Sequence, residues 1–281
     1  MKKHISFKPI WLMLVLACGL SACDGLEQTV TLDLDQTEPQ IVIDGLITDE
    51  LKEQYVRLSR VAGFYSNGEV PPVSNATVLV EDDAGNSYTF NESTEIAGLY
   101  LSEFQGVPGR TYSLSVNVEG ELYQAEEFLA RITAIDSLTW ELNEDEQEDP
   151  EDEGQFYEVL LFTEEPQDTE DFYLFQFYQN DTLLNNDYEE AYFTDDEFLT
   201  ERIAGVSTGY FFAEGDSATV EMFSISSTAF VYYNDLITAL NNDGGMFSPI
   251  PANLRNNLSN GAIGYFRCSS VTRESIIVAK E

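Results

Sequence analysis

The chain has 281 residues, 51 acidic and 13 basic, for a formal charge of −38 at neutral pH. A field of that sign repels nucleic acid and anionic lipid head groups, which excludes nucleic-acid binding and membrane adhesion through a basic patch. The one histidine is His4, so the remainder of the chain lacks the imidazole that a Ser-His-Asp triad, a Cys-His pair or a His-ligated zinc site requires.

The first 22 residues read as a cleaved leader. Lys2, Lys3 and Lys8 form a positive start, and Ile10 to Gly19 is an apolar core too short to span a bilayer, which takes about 20 apolar residues. Leu20-Ser21-Ala22-Cys23 then has the layout of a lipoprotein processing box, with Cys23 as the lipidation site. An ordinary leader cut near Ala22 is the plainer alternative. Three of the 13 basic residues and none of the acidic ones fall in this leader, so the mature chain carries a charge near −41. The acids are spread along most of the chain. That reads first as a solvated surface, and second as attraction for cationic cargo or a basic partner.

Residues 23–37 read as a polar tether, and 38–135 as a sandwich of six or seven short strands. Ile41-Val42-Ile43 is β-branched, and Val56 and Leu58 alternate with polar neighbours. Asp82-Asp83-Ala84-Gly85-Asn86, between Ala76–Val80 and Ser87–Phe90, is a hairpin turn, because Asp, Gly and Asn tolerate positive φ. Tyr112, Leu114, Val116 and Val118 alternate strictly, and Glu119-Gly120-Glu121 turns the chain into Leu122–Ala125.

Residues 136–154 read as an acidic linker: nine of the fourteen residues from Glu141 to Gly154 are acidic, and such a run repels itself into an extended form. Its functional reading is a calcium-binding loop, although the EF-hand spacing with a central glycine is missing. Residues 155–281 read as a second β-rich domain, an antiparallel sandwich or barrel. Phe156–Phe162 and Phe172–Tyr178 are apolar on both faces, as in central strands. One helix is expected near 228–241, from the spacing of Phe230, Tyr233, Ile237 and Leu240, with Ser227 or Thr228 as its cap. A proline loop over Phe247–Asn253 precedes strands at Ala262–Cys268 and Ser275–Ala279, and Cys268 reads as a small buried residue. The expected fold class is mainly β, with two β domains.

The processing box, IVIDGLITDE, YVRLSR, PPVSNATVLVEDDAGNSYTF with GVPGRTYSLSV, and FSPIPANLRNNLSNGAIGYFRCSS together resemble a family of Bacteroidota outer-membrane lipoproteins defined by a domain of unknown function (DUF 4249 type). The N-terminal sandwich also resembles Ig-like or transthyretin-like modules. The family resemblance implies a non-enzymatic lipoprotein held at the outer membrane by its lipid and acting as an accessory or cargo-capture partner of a TonB-dependent transporter. It assigns no catalytic, metal or ligand-binding residue. A calcium-stabilised adhesive module and a carboxylate-based hydrolase, which needs no histidine, are the alternatives.

Overall fold

A computed structural model describes residues 40–61, 70–148, 154–164, 169–187, 190–196, 202–242 and 254–279. Cys23, the leader, the tether and the proline loop lie outside these residues. The chain is mainly β. No helix among the described residues is long and apolar enough to cross a membrane.

The first layer contains β1 (Ile41–Thr48), β2 (Lys52–Arg60), β3 (Thr77–Asp82), β4 (Ser87–Glu92), β5 (Leu99–Phe104), β6 (Thr111–Val118) and β7 (Glu121–Phe128). An eighth strand arrives from far along the chain, β15 (Ile263–Ser269), and the order across the sheet is β15-β1-β2-β5-β4-β3-β6-β7. Strand β4 makes the corner: Val78 of β3 opposes Phe90, whereas Leu101 of β5 opposes the next residue, Asn91. Alternation then decides what is inside. Ile41, Ile43 and Ile47 of β1 join Val56, Leu58, Tyr112, Leu114, Val116 and Phe266 in one core, and burying Phe266 fully contributes about 2–3 kcal/mol. Cys268 is in that core too, 1% exposed.

Two polar side chains trapped in this layer, Gln54 and Asp82, are satisfied. Gln54 is 1% exposed; its Oε1 accepts from Thr48 N at 2.8 Å and its Nε2 donates to Phe104 O at 2.8 Å. Asp82 closes the β3–β4 hairpin by accepting from Ala84 N and Asn86 N at 3.1 and 2.8 Å, and Gly85 there adopts φ +87°. Arg110 Nη1 donates to the same carboxylate at 2.6 Å. Burial works against the charged form of Asp82, but the hydrogen bonds from Asn86 and Arg110 prevail and hold its pKa at about 2.

The second layer is a sandwich of two small sheets. One has β13 (Arg202–Ala213), β9 (Gln155–Glu164) and β8 (Ile135–Leu142) in that order. The other has β11 (Thr182–Leu183), β10 (Phe172–Gln179), β14 (Ser217–Ile225) and β16 (Val271–Ile277), with β12 (Tyr192–Asp195) also paired to β10. Strand β10 is covered on both faces, as its composition predicts. Tyr173, Phe175 and Phe177 pack with Val159, Leu161, Ile203 and Phe212, whereas Leu174 faces the other way with Phe223, Ile225 and Ala229. Strand β9 differs from expectation: Val159 and Leu161 are buried but Leu160 and Phe162 only half so, because one face of its sheet lacks a covering layer.

Three expectations need correction. Residues 136–142 are not linker but strand β8, and the acidic run continues as a short helix, α1 (Glu144–Glu148). Asn143 Oδ1 accepts from Glu146 N at 3.0 Å, and acids in a first turn suit the positive end of the helix dipole, so Glu144–Glu148 coils instead of staying extended; residues 149–153 of the run lie outside the described residues. The long helix, α2, is Ser227–Leu240, and its cap is Ser226: that residue is extended and its side chain accepts from Ala229 N at 3.0 Å. Finally, β15 belongs to the first sheet. The second β body is therefore not the continuous stretch 155–281: it gains β8 and gives up β15.

The last-named strand joins the two layers. Strand β15 lies parallel to β1, and one residue later the chain enters β16 in the second sandwich. The other crossing, from β7 to β8, runs beside it. Ser270 Oγ and Ser224 Oγ both donate to Ala130 O, at 2.6 and 3.0 Å, and Ser269 bridges Ala130 in parallel. Both connections are thus bound at one point.

Candidate binding cleft

Because β1 is buried at alternate residues, Val42, Asp44 and Leu46 face away from the first core. Tyr265 and Arg267 of β15 face the same way, Asp44 being opposite Tyr265 in the parallel register. Helix α2 and β10 stand over this face. Between them is a cleft of about 420 Å³ whose walls include Asp44, Tyr55, Gln176, Tyr232, Tyr233 and Arg267. Volume and mixed lining suit a small amphipathic ligand.

The walls are preorganised. Asn185 Oδ1 accepts from Phe177 N at 3.0 Å and its Nδ2 donates to Phe175 O at 2.9 Å, which fixes the chain after β11 against β10. Arg267 Nη1 donates to Tyr233 Oη at 3.1 Å, and its guanidinium lies 5.2 Å from the centre of the Phe223 ring, a cation–π distance. The rings of Tyr232 and Tyr265 are 5.0 Å apart. Asp44 is less well served: Tyr55 Oη donates to its Oδ2 at 3.5 Å, the outer limit of a hydrogen bond. Burial raises its pKa, against the charges of Arg267 and Arg57 and the bond from Tyr55.

A second unusual carboxylate lies at the seam where the curled sheet meets itself. Glu127 of β7 is 4% exposed; its Oε2 accepts from Tyr265 Oη at 3.0 Å and from Asn257 Nδ2 at 2.8 Å, and its Oε1 is buried without a partner. Burial pushes its pKa up to about 7. Asn257 also spans the seam itself, donating to Phe266 O at 2.7 Å and accepting from Phe266 N at 3.1 Å. Ser259 N adds a bond to Gln124 O at 2.8 Å. Glu127 is sealed and Asp44 faces the cleft, so these two acids do not form the facing pair that glycoside hydrolysis needs.

Further cavities lie elsewhere among the described residues. One of about 770 Å³ lies beside the start of α2, with Arg131, Glu170 and Asp171 on its walls; another, about 170 Å³ and apolar, lies between β12 and β13. Among the described residues no group of three or more His, Cys, Asp or Glu side chains is placed to hold a metal ion.

The sequence placed no ligand residue here. A signal existed, since Asp44 interrupts the β-branched run Ile41–Ile47 at a position whose alternation points out of the core. Its partnership with Tyr265 and Arg267, more than 200 positions away, had no local sign.

No curated protein matches this chain. Among solved structures, the chain is similar to a DUF4785 family protein from Legionella pneumophila, with 7% identity and a TM-score of 0.23 over 66% of this chain. It spans about half (52%) of the length of that protein. A family model described as "Domain of unknown function (DUF4249)" matches residues 27–275. With nearly all of its described body inside that match, including Asp44, Glu127, Asn257 and Arg267, the chain belongs to the DUF4249 family.

Proposed function

We propose that this protein is a non-enzymatic lipoprotein, tethered to the outer membrane through Cys23, that captures cargo for a TonB-dependent transporter or docks on it as an accessory. The observation that carries the capture role is the cleft over β1 and β15. Its walls come from both layers, and both chain crossings between those layers are bound together at Ala130. A site held that rigidly loses little freedom when it binds. The anchor rests on the Leu20-Ser21-Ala22-Cys23 box after its short apolar run.

The test is affinity isolation of the lipidated protein from outer membranes solubilised in mild detergent, with mass spectrometry of what accompanies it. A stoichiometric TonB-dependent transporter is the expected companion. Recovery of the protein alone under every growth condition would count against the partnership. Separately, Cys23→Ala should move the protein from the membrane to the soluble fraction, and unchanged fractionation would remove the anchor.

A further inference from the structure

We propose that the cleft takes an organic cation, an ammonium or guanidinium carried on an apolar or aromatic body, with Asp44 as its counter-ion. The proposal names the ligand class for the capture role above and rests on that reading.

Asp44 has a carboxylate in the wall of the cleft whose hydrogen bond from Tyr55 is at the limit of length. Arg267 is the cation on the same wall; Tyr233 and the Phe223 ring hold its guanidinium, and its charge favours the ionised form of Asp44 through space without outweighing the cost of burial. Arg57 lies across the strand pair and acts on Asp44 through space. A desolvated carboxylate of this kind gains most from a donor that brings its own positive charge, because charge-assisted hydrogen bonds are about twice as strong as neutral ones. Burial disfavours the bare charge of Asp44, and an arriving cation would relieve that penalty.

The remaining walls suit the rest of such a ligand. Tyr232, Tyr233 and Tyr265 line the cleft, and aromatic rings attract cations and pack against apolar groups. Leu174 and Leu236 complete the apolar part of the lining. At long range, a body with formal charge −38 raises the local concentration of cations around the opening. A neutral sugar or an anion gains nothing from that field.

A free amine and a basic side chain on a peptide share this chemistry, and separate probes distinguish them. Calorimetric titration would compare 2-phenylethylammonium with its neutral shape analogue 2-phenylethanol, and a pentapeptide carrying arginine beside phenylalanine with its citrulline counterpart. The expected result is saturable binding of at least one charged probe, at least tenfold tighter than its neutral counterpart, and weakened at least tenfold by Asp44→Asn. Whichever charged probe binds identifies the source. Leu236→Lys, which places a cation in the cleft without touching Asp44, should also abolish binding and guards against misfolding of the first variant. Equal binding of charged and neutral probes, no binding of either cation at millimolar concentration, or an unaffected Asp44→Asn protein would overturn the proposal. If the cations fail while a transporter still co-purifies, the ligand class is wrong and the partnership stands; the reverse result separates them the other way.

Discussion

Tyr265 donates its phenol proton to Glu127 across the seam of the first sheet, at 3.0 Å, and the same phenol lies 2.9 Å from Thr228 in the first turn of α2. One tyrosine thus ties the closing strand β15 to β7 and to the helix that roofs the cleft. The carboxylate it meets is sealed, with one oxygen unpartnered, and its pKa is about 7.

Stability should therefore depend on pH through Glu127. Its pKa is about 4.5 unfolded and about 7 folded, so the folded state binds the extra proton. This contribution is complete below about pH 4.5, declines as pH rises to 7, and is absent above it; the span is of order 3 kcal/mol. Glu127→Gln mimics the protonated form. It should raise the melting temperature by several degrees at pH 8 and flatten the decline between pH 5 and 7. A melting curve with the wild-type slope in the variant would show that another group is responsible.

Gly264 should tolerate no side chain. Its φ is +100°, and a Cβ there would overlap the carbonyl of Ile43 in the neighbouring strand. Both the backbone conformation and the space are lost at once on substitution. Gly264→Ala should cost about 3 kcal/mol or more and Gly264→Val should prevent folding, as read by denaturant titration. By contrast, an alanine at Gly120, whose φ is also positive, at +93°, but which has open space around it, should cost only about 1 kcal/mol.

Asn257→Ala should open the seam without disturbing the rest of the sheet. It removes the pair of bonds to Phe266 and one of the two donors to Glu127. The expected loss is about 2–4 kcal/mol, since each unmade buried bond costs about 1–3. Hydrogen exchange should quicken at the Phe266 amide and not at Val116, which is deep in the same core. Equal acceleration at both would mean global destabilisation instead of a local opening.

Asp82→Ala should weaken the β3–β4 hairpin by about 2–3 kcal/mol, through loss of its turn bonds and of Arg110. The acid dependence has the opposite sign from that of Glu127. The folded pKa of Asp82 is about 2, below its usual 3.8, so its contribution is present above pH 4 and lost as pH falls towards 2. In the variant, acid unfolding between pH 4 and 2 should be less steep.

Local pattern was legible wherever one residue type decides one conformation. Alternation marked β2 and β6, a β-branched run marked β1, a stretch apolar on both faces marked β10, the Asp82–Asn86 turn announced its hairpin, and the 3.6-residue spacing announced α2 to within a residue. Strands β5 and β13 passed unrecognised: the first is six residues long, and the second carries Gly205 and Gly209, both with positive φ, which break its register against β9. The cap moved to Ser226 because capping depends on the dihedral angles of one residue, and composition does not report those.

The sequence alone determined that this is a β-rich, acidic chain, histidine-free beyond His4, since those properties follow from composition and from contacts between near neighbours. Only the tertiary structure decided that Ile263–Ser269 leaves its sequence neighbours to lie parallel to β1. That pairing puts Asp44, Tyr265 and Arg267 on one face and makes a cleft of two layers. Its cause is steric and long-range: Gly264 and Gly45 leave room for the strands to approach, and Asn257 supplies the bonds that a curled sheet lacks at its seam. No stretch of a few residues contains that information.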